Sequence, residues 1–232
     1  MENQFEFIIT ASKTSYFSNH NTYINENDIL KSLLFYNAWL YKYIDYKDDD
    51  NANLINEALL YENDDLINKS LFCDTEEESK IIIENISDDK LKKSIEHAVS
   101  ITRGIIREKQ NLKSSNIIKH VDKLYKKELL TIRYKNNIYK IIVCGRIDGL
   151  ENNILIEAKN RRNHFFDYIP IYEKVQIEMY LYLLNIDKCK QIQYHNKLNK
   201  IIEYNRDEKF FDIICSQLIT YFTHLIDKYN IS

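Results

Sequence analysis

From residue 129 to residue 159 the chain runs through three apolar, β-branched stretches with asparagine pairs between them, and no other stretch so narrows what it can fold into. Residues 129–134, 138–147 and 154–159 read as strands, with Asn136-Asn137 and Asn152-Asn153 as turns. Side chains alternate faces along a strand, so Leu155, Glu157 and Lys159 share one face and Ile154, Ile156 and Ala158 the other. The second set suits a core. The first puts a carboxylate and an ammonium on an otherwise apolar strand, where burial is costly without a purpose.

Helices are expected on both sides of these strands. Upstream, helical spacing predicts a helix over 26–46, a polar loop over 45–53 and a helix over 88–112 behind a Ser87 cap. A further helix is expected over 116–125. Residues 45–85, with acidic patches at Asp64-Asp65 and Glu76 to Glu78, read as a variable helical insert. Downstream come a helix over 172–184, short strands over 191–194 and 200–204, and an amphipathic closing helix over 207–229 that carries Ile214, Leu218 and Phe222. This order indicates one α/β (α+β) domain over 1–232, with a core of about 86–228, a central mixed sheet flanked by helices and an N-terminal helical region.

Composition removes several classes of function. Three glycines and one proline among 232 residues, with abundant Ile, Asn, Lys and Tyr, fit an AT-rich genome and carry little functional meaning. The net charge of −3 gives no bulk attraction to a polyanion, so nucleic acid would have to be met by local patches. Lys119, Lys123, Lys126 and Lys127 form one, read equally well as a solvated helix face; Arg161, Arg162 and His164 form another. Cysteines at 73, 144, 189 and 215 fit neither a zinc site nor an iron–sulfur cluster. No apolar run approaches membrane length, and the acidic start resembles no signal or transit peptide. A soluble, intracellular protein is expected. No glycine-rich phosphate loop and no Ser/His or Cys/His signature stands out.

The hairpin carries the chemistry. A lone Glu-x-Lys is usually a solvated edge pair, but Asp148 lies nine residues before Glu157, and folding back would bring the two carboxylates together. Such a pair repels unless a divalent cation lies between, and hard oxygen ligands suit Mg²⁺ or Mn²⁺. Gly104 and Glu108 lie one turn apart on the expected 88–112 helix, as do Gln176 and Tyr180 on the 172–184 helix.

In order, Gly104-x-x-x-Glu108, Asp148-Gly149, Glu157-x-Lys159 and Gln176-x-x-x-Tyr180 resemble the PD-(D/E)XK nuclease superfamily, in the RecB-like branch holding the lambda-type exonucleases and YqaJ viral recombinases. Ile9-Thr10-Ala11-Ser12 resembles that branch's opening segment, and Arg206 to Phe210 its closing element. The resemblance implies a restriction-endonuclease-like core and a DNA exonuclease that cuts phosphodiester bonds from a duplex end, 5′ to 3′, in recombination, repair or viral DNA processing. It implies that Asp148, Glu157 and the Ala158 carbonyl ligate Mg²⁺ (Mn²⁺ substituting), with Glu108 on the same or a second ion. Lys159 would orient or deprotonate the attacking water, Gln176 would hold Lys159, the water or a phosphate, and Tyr180, Arg161 and Arg162 would meet DNA. Ser12 is expected either to donate to a terminal phosphate or to cap a helix. A strand-annealing protein and a homo-oligomer are the implied partners. No arginine precedes Ser12, where the family usually has one; Arg103, Arg107 or Arg161 is the expected replacement. The alternatives are a single-strand-preferring RecB-like nuclease, an endonuclease, or a decayed DNA-binding relative.

Overall fold

The computed structural model describes residues 2–46, 70, 76–87, 89, 92, 95, 96, 99, 123–196 and 198–232. Two mixed sheets follow one another along the chain, with helices packed on them. The strands are β1 (Gln4–Thr10), β2 (Tyr125–Tyr134), β3 (Asn137–Gly145), β4 (Gly149–Glu151), β5 (Ile154–Asn160), β6 (Lys188–His195) and β7 (Leu198–Asn205). The helices are α1 (Thr14–Phe17), α2 (Glu26–Tyr36), α3 (Glu76–Glu84), α4 (Ile171–Leu184) and α5 (Glu208–Tyr229).

The first sheet has the order β1-β3-β2, with β3 parallel to β1 and antiparallel to β2. The β2–β3 turn is Lys135-Asn136, at φ of 48° and 61°. A two-residue turn with both φ values positive matches the twist of its strands. The asparagine pair predicted for this turn is therefore shifted by one: Asn137 already pairs with Tyr134. The second sheet has the order β4-β5-β6-β7. Its first hairpin turns at Asn152-Asn153, φ of 46° and 65°, as predicted. From β5 the chain crosses through α4 to the parallel strand β6. The expected central mixed sheet is thus in two parts, separated where Arg146, Ile147 and Asp148 leave strand geometry.

Helix α4 is apolar on most sides, which fits a helix enclosed by neighbours. Val175, Ile177, Met179 and Leu181 are fully buried in the main core, with Leu155 of β5 and Ile214, Leu218 and Phe222 of α5. Ile156, Ala158, Ile192 and Tyr194, on the opposite face of β5 and β6, form a second, smaller cluster. The predicted alternation of the β5 side chains holds, but the larger core lies on the Leu155 face, and the face expected to form the core carries only the smaller cluster.

Strand β1 was not foreseen, although Phe5, Phe7 and Ile9 alternate with polar neighbours over its first half. It also explains why the helix predicted over 26–46 stops at Tyr36. The Asn37 side chain leaves helical geometry to accept from the Ile8 N–H at 2.7 Å and donate to the Ile8 carbonyl at 2.8 Å. Trp39, in the 3₁₀ turn Ala38–Lys42, donates to the Glu6 carbonyl at 3.1 Å. Together they satisfy part of the outer edge of β1. The helix expected over 116–125 is corrected at its end: Lys123 and Leu124 are irregular and Tyr125 begins β2, while 116–122 lie outside the described residues. Within 88–112, residues 89, 92, 95, 96 and 99 are helical, and Ile95 and Val99 are buried as expected.

Candidate active site

Strand β5 delivers Glu157 and Lys159 to the face on which α4 packs, and α4 brings Gln176 to meet them. Glu157 is 2% exposed. Its Oε1 accepts from Lys159 Nζ at 2.8 Å and from Gln176 Nε2 at 2.9 Å. Lys159 Nζ also donates to Gln176 Oε1 at 2.9 Å, which closes a three-membered ring of side chains. Asp148 joins through the backbone. The β4–β5 ladder ends at Gly149↔Ile156, and one step further the Asp148 carboxylate accepts from the Ala158 N–H at 2.7 Å. This bond fixes Asp148 beside the strand that carries Glu157.

Burial, and then the nearby Asp148 carboxylate, push Glu157 up to about 7 from an ordinary value of 4.5, against the opposing pull of Lys159. Burial pulls Lys159 down, but the Glu157 carboxylate, and Glu173 behind it, outweigh that and hold the ammonium above its ordinary value. Glu157 Oε2 is buried with no hydrogen-bond partner. An orphaned carboxylate oxygen close to a second carboxylate is the donor set a hard divalent cation takes, so the residues fit such an ion. Among the described residues no group of three or more His, Cys, Asp or Glu side chains forms a metal set, and Glu108, the third expected ligand, lies outside them, as do Gly104, Arg103 and Arg107.

Gly145 closes the site from the side of the first sheet. A Cβ there would lie 2.6 Å from Tyr180 Cε1 and 3.2 Å from the Ala11 Cβ, so only glycine lets these groups meet the end of β3. Tyr180 is 5% exposed, with its hydroxyl 3.5 Å from Gln176 Nε2. The ring expected to meet DNA is a buried support, and only its hydroxyl reaches the ring of site residues. Ser12 lies just past Thr10, the residue that pairs with Cys144 near the end of β3. It is exposed, with Oγ 3.4 Å from Thr10 Oγ1, and is not the residue that starts either short helix there.

Arg161 departs from its expected place on a DNA-facing surface. Its side chain is 9% exposed and binds Glu173 through two hydrogen bonds, of 2.6 and 2.8 Å. Its Nε donates to Gln193 at 2.8 Å, and Gln191 donates to the same Glu173 at 2.8 Å. Two nearly parallel N–H···O bonds make this a strong clamp between the end of β5 and the first turn of α4. Arg162 pairs with Glu96 at 2.7 Å and stays partly exposed. The sequence reading missed Glu173, Gln191 and Gln193. Nothing in the letters of β6 singles out Gln191 and Gln193, since Lys188, Lys190 and His195 share that strand; only their complete burial marks them.

No family model matches the chain, and no curated protein matches it. The solved structures it is similar to include two exonucleases. One is the alkaline exonuclease LHK-Exo from Laribacter hongkongensis in complex with dAMP, 12% identical, with 96% of this chain and 89% of that one covered and a TM-score of 0.45. Another is a phage-related exonuclease from Haemophilus somnus 129PT, 11% identical, with 97% of each chain covered and a TM-score of 0.40. A third, SSO0001, is 20% identical over 68% of this chain and 85% of that one, with a TM-score of 0.40. What this site can do is read from its own groups.

Proposed function

We propose that the chain is a divalent-metal-dependent deoxyribonuclease that hydrolyses phosphodiester bonds from a duplex end. The observation that carries this is the closed ring of Glu157, Lys159 and Gln176 beside Asp148, with one Glu157 oxygen left without a partner. Asp148, Glu157 and the Ala158 carbonyl would hold Mg²⁺ or Mn²⁺, and Glu108 would add a further carboxylate. When bound, the ion supplies positive charge that polarises the phosphate and acidifies a water.

The rest is done by the chain. Lys159 holds its proton, offers an ammonium to the negative charge that develops on the phosphate, and orients the attacking water. Gln176 keeps Lys159 on the Glu157 side, and the Tyr180 hydroxyl steadies Gln176. Ser12 donates to the phosphate at the strand end, and Arg162 meets the backbone further along. Cutting runs 5′ to 3′ in this reading, in recombination, repair or viral DNA processing, with a strand-annealing protein and further copies of the chain as partners.

The test is incubation with Mg²⁺ and end-labelled linear duplexes, bearing 5′ phosphate or 5′ hydroxyl, beside covalently closed circles. Mononucleotides are expected from the linear substrates, with the circles intact, and Lys159→Ala is expected to slow release by about a hundredfold or more. No release by the wild type, or equal release by Lys159→Ala, overturns the reading. Cutting of circles makes it an endonuclease.

A further inference from the structure

A cleft of about 520 Å³ lies between the segment after α1 and the start of α4, with His20, Tyr23, Tyr168, Tyr172, Lys174 and Phe210 in its walls. Its size is that of a site for one small ligand or nucleotide. It adjoins the candidate active site, because Tyr172 is one turn before Gln176 on α4. Burial and then the Glu173 carboxylate raise the Tyr172 phenol above its ordinary value, against the pull of Arg161 and Lys159.

The aromatic rings here are held by the fold yet left in water. Tyr23 is 86% exposed and Tyr168 66%. Tyr23 meets Tyr172 edge-on at 6.3 Å, and Tyr168 stacks on Phe166 at 6.0 Å, which itself covers the Arg161 guanidinium at 4.5 Å. Scattered exposed apolar groups need no explanation, but several rings grouped around one cleft do. Lys174 adds a positive charge to the wall and forms no ion pair with another described residue.

We infer that this cleft holds unpaired bases of the DNA strand being cut, an inference that rests on the deoxyribonuclease reading. Every base has a flat π-face, so tyrosines bind bases without regard to sequence, while an ammonium in the same cleft suits the connecting phosphate. Bases within a duplex are already stacked on one another and cannot offer those faces, so the bound portion is a frayed or single-stranded end.

The experiment measures binding in EDTA, by fluorescence anisotropy, of a labelled single-stranded oligothymidylate. A strand of the same length and charge lacking its bases and a closed-end hairpin duplex serve as the other probes. Wild type is expected to prefer the base-bearing strand over the abasic one by about tenfold or more. Tyr23→Ala and Tyr168→Ala should each remove most of that preference, and Tyr168→Phe should keep it. Equal affinity of wild type for the two strands overturns the inference, as does an undiminished preference in both alanine variants. Equal tightness on the hairpin duplex overturns it as well. Because no metal is present, the result is independent of cutting: a protein that prefers bases but releases no nucleotide sinks the nuclease reading alone.

Discussion

Glu157 is costly to keep ionised when no cation is present, because burial and the Asp148 carboxylate both oppose its charge. The native state keeps its proton up to about pH 7, whereas the unfolded chain releases it near the ordinary 4.5. Between those values the native state binds more protons, so stability from this group is full below about 4.5, falls as pH rises through 7, and levels off above it. Metal-free wild type should therefore lose stability relative to Glu157→Gln across that window, by up to about 3 kcal/mol. Paired thermal melts from pH 4.5 to 8 check this, and a gap between the two that does not change with pH would contradict it. That Glu157 and Lys159 would be brought together was legible because charge on an apolar strand is an anomaly visible in the letters alone. Asp148 came instead from its spacing to Glu157, and Gln176 from its helical spacing to Tyr180. The directions of Arg161 and Tyr180 were not legible. Each has a partner on another element, and that partner decides whether a basic or aromatic group faces solvent or is drawn inwards.

At the scale of elements, the Arg161–Glu173 clamp sets the distance between β5 and α4, and so the distance between Lys159 and Gln176. Arg161→Ala would strand the Glu173 carboxylate, which is 4% exposed, and is expected to cost about 3–5 kcal/mol in urea unfolding. Adding Glu173→Gln to it should recover part of that loss. A cost below about 1 kcal/mol for Arg161→Ala would show that the clamp does not hold the two elements. Strands β2, β3 and β5 to β7 were legible, wholly or in part, from apolar runs and asparagine turns, while β4, three residues with no apolar run, was not. The break in the helix at Asn37 was not, because it is made by a strand some thirty residues earlier. Helical periodicity through Leu40 and Ile44 continues across a break that only the edge of β1 requires.

For the whole molecule, charge decides how DNA is met. The chain carries a net −3, and several cations near the site are already paired: Lys159 with Glu157, Arg161 with Glu173, Arg162 with Glu96 and Lys200 with Asp167. Each of these pairs has to open before its cation can displace a counterion. The slope of log affinity against log salt for duplex binding should be no steeper than about −4, at roughly 0.9 per phosphate neutralised. A slope near twice that would point to a basic surface outside the described residues. The fold class was legible from the order of elements, while the division into two sheets follows from three residues, Arg146 to Asp148, whose letters do not mark a break.

The Asn152-Asn153 turn has one more consequence, for how such a gene tolerates change. Glu151↔Ile154 flanks the turn and Gly149↔Ile156 closes the ladder, so Glu157 follows the turn by a fixed count. A substitution at either asparagine strains two backbone angles, whereas a single codon inserted between Asn153 and Glu157 would shift parity, turning Glu157 and Lys159 to the side now held by Ile156 and Ala158. Drift in this stretch should therefore be lenient towards spelling and strict towards length.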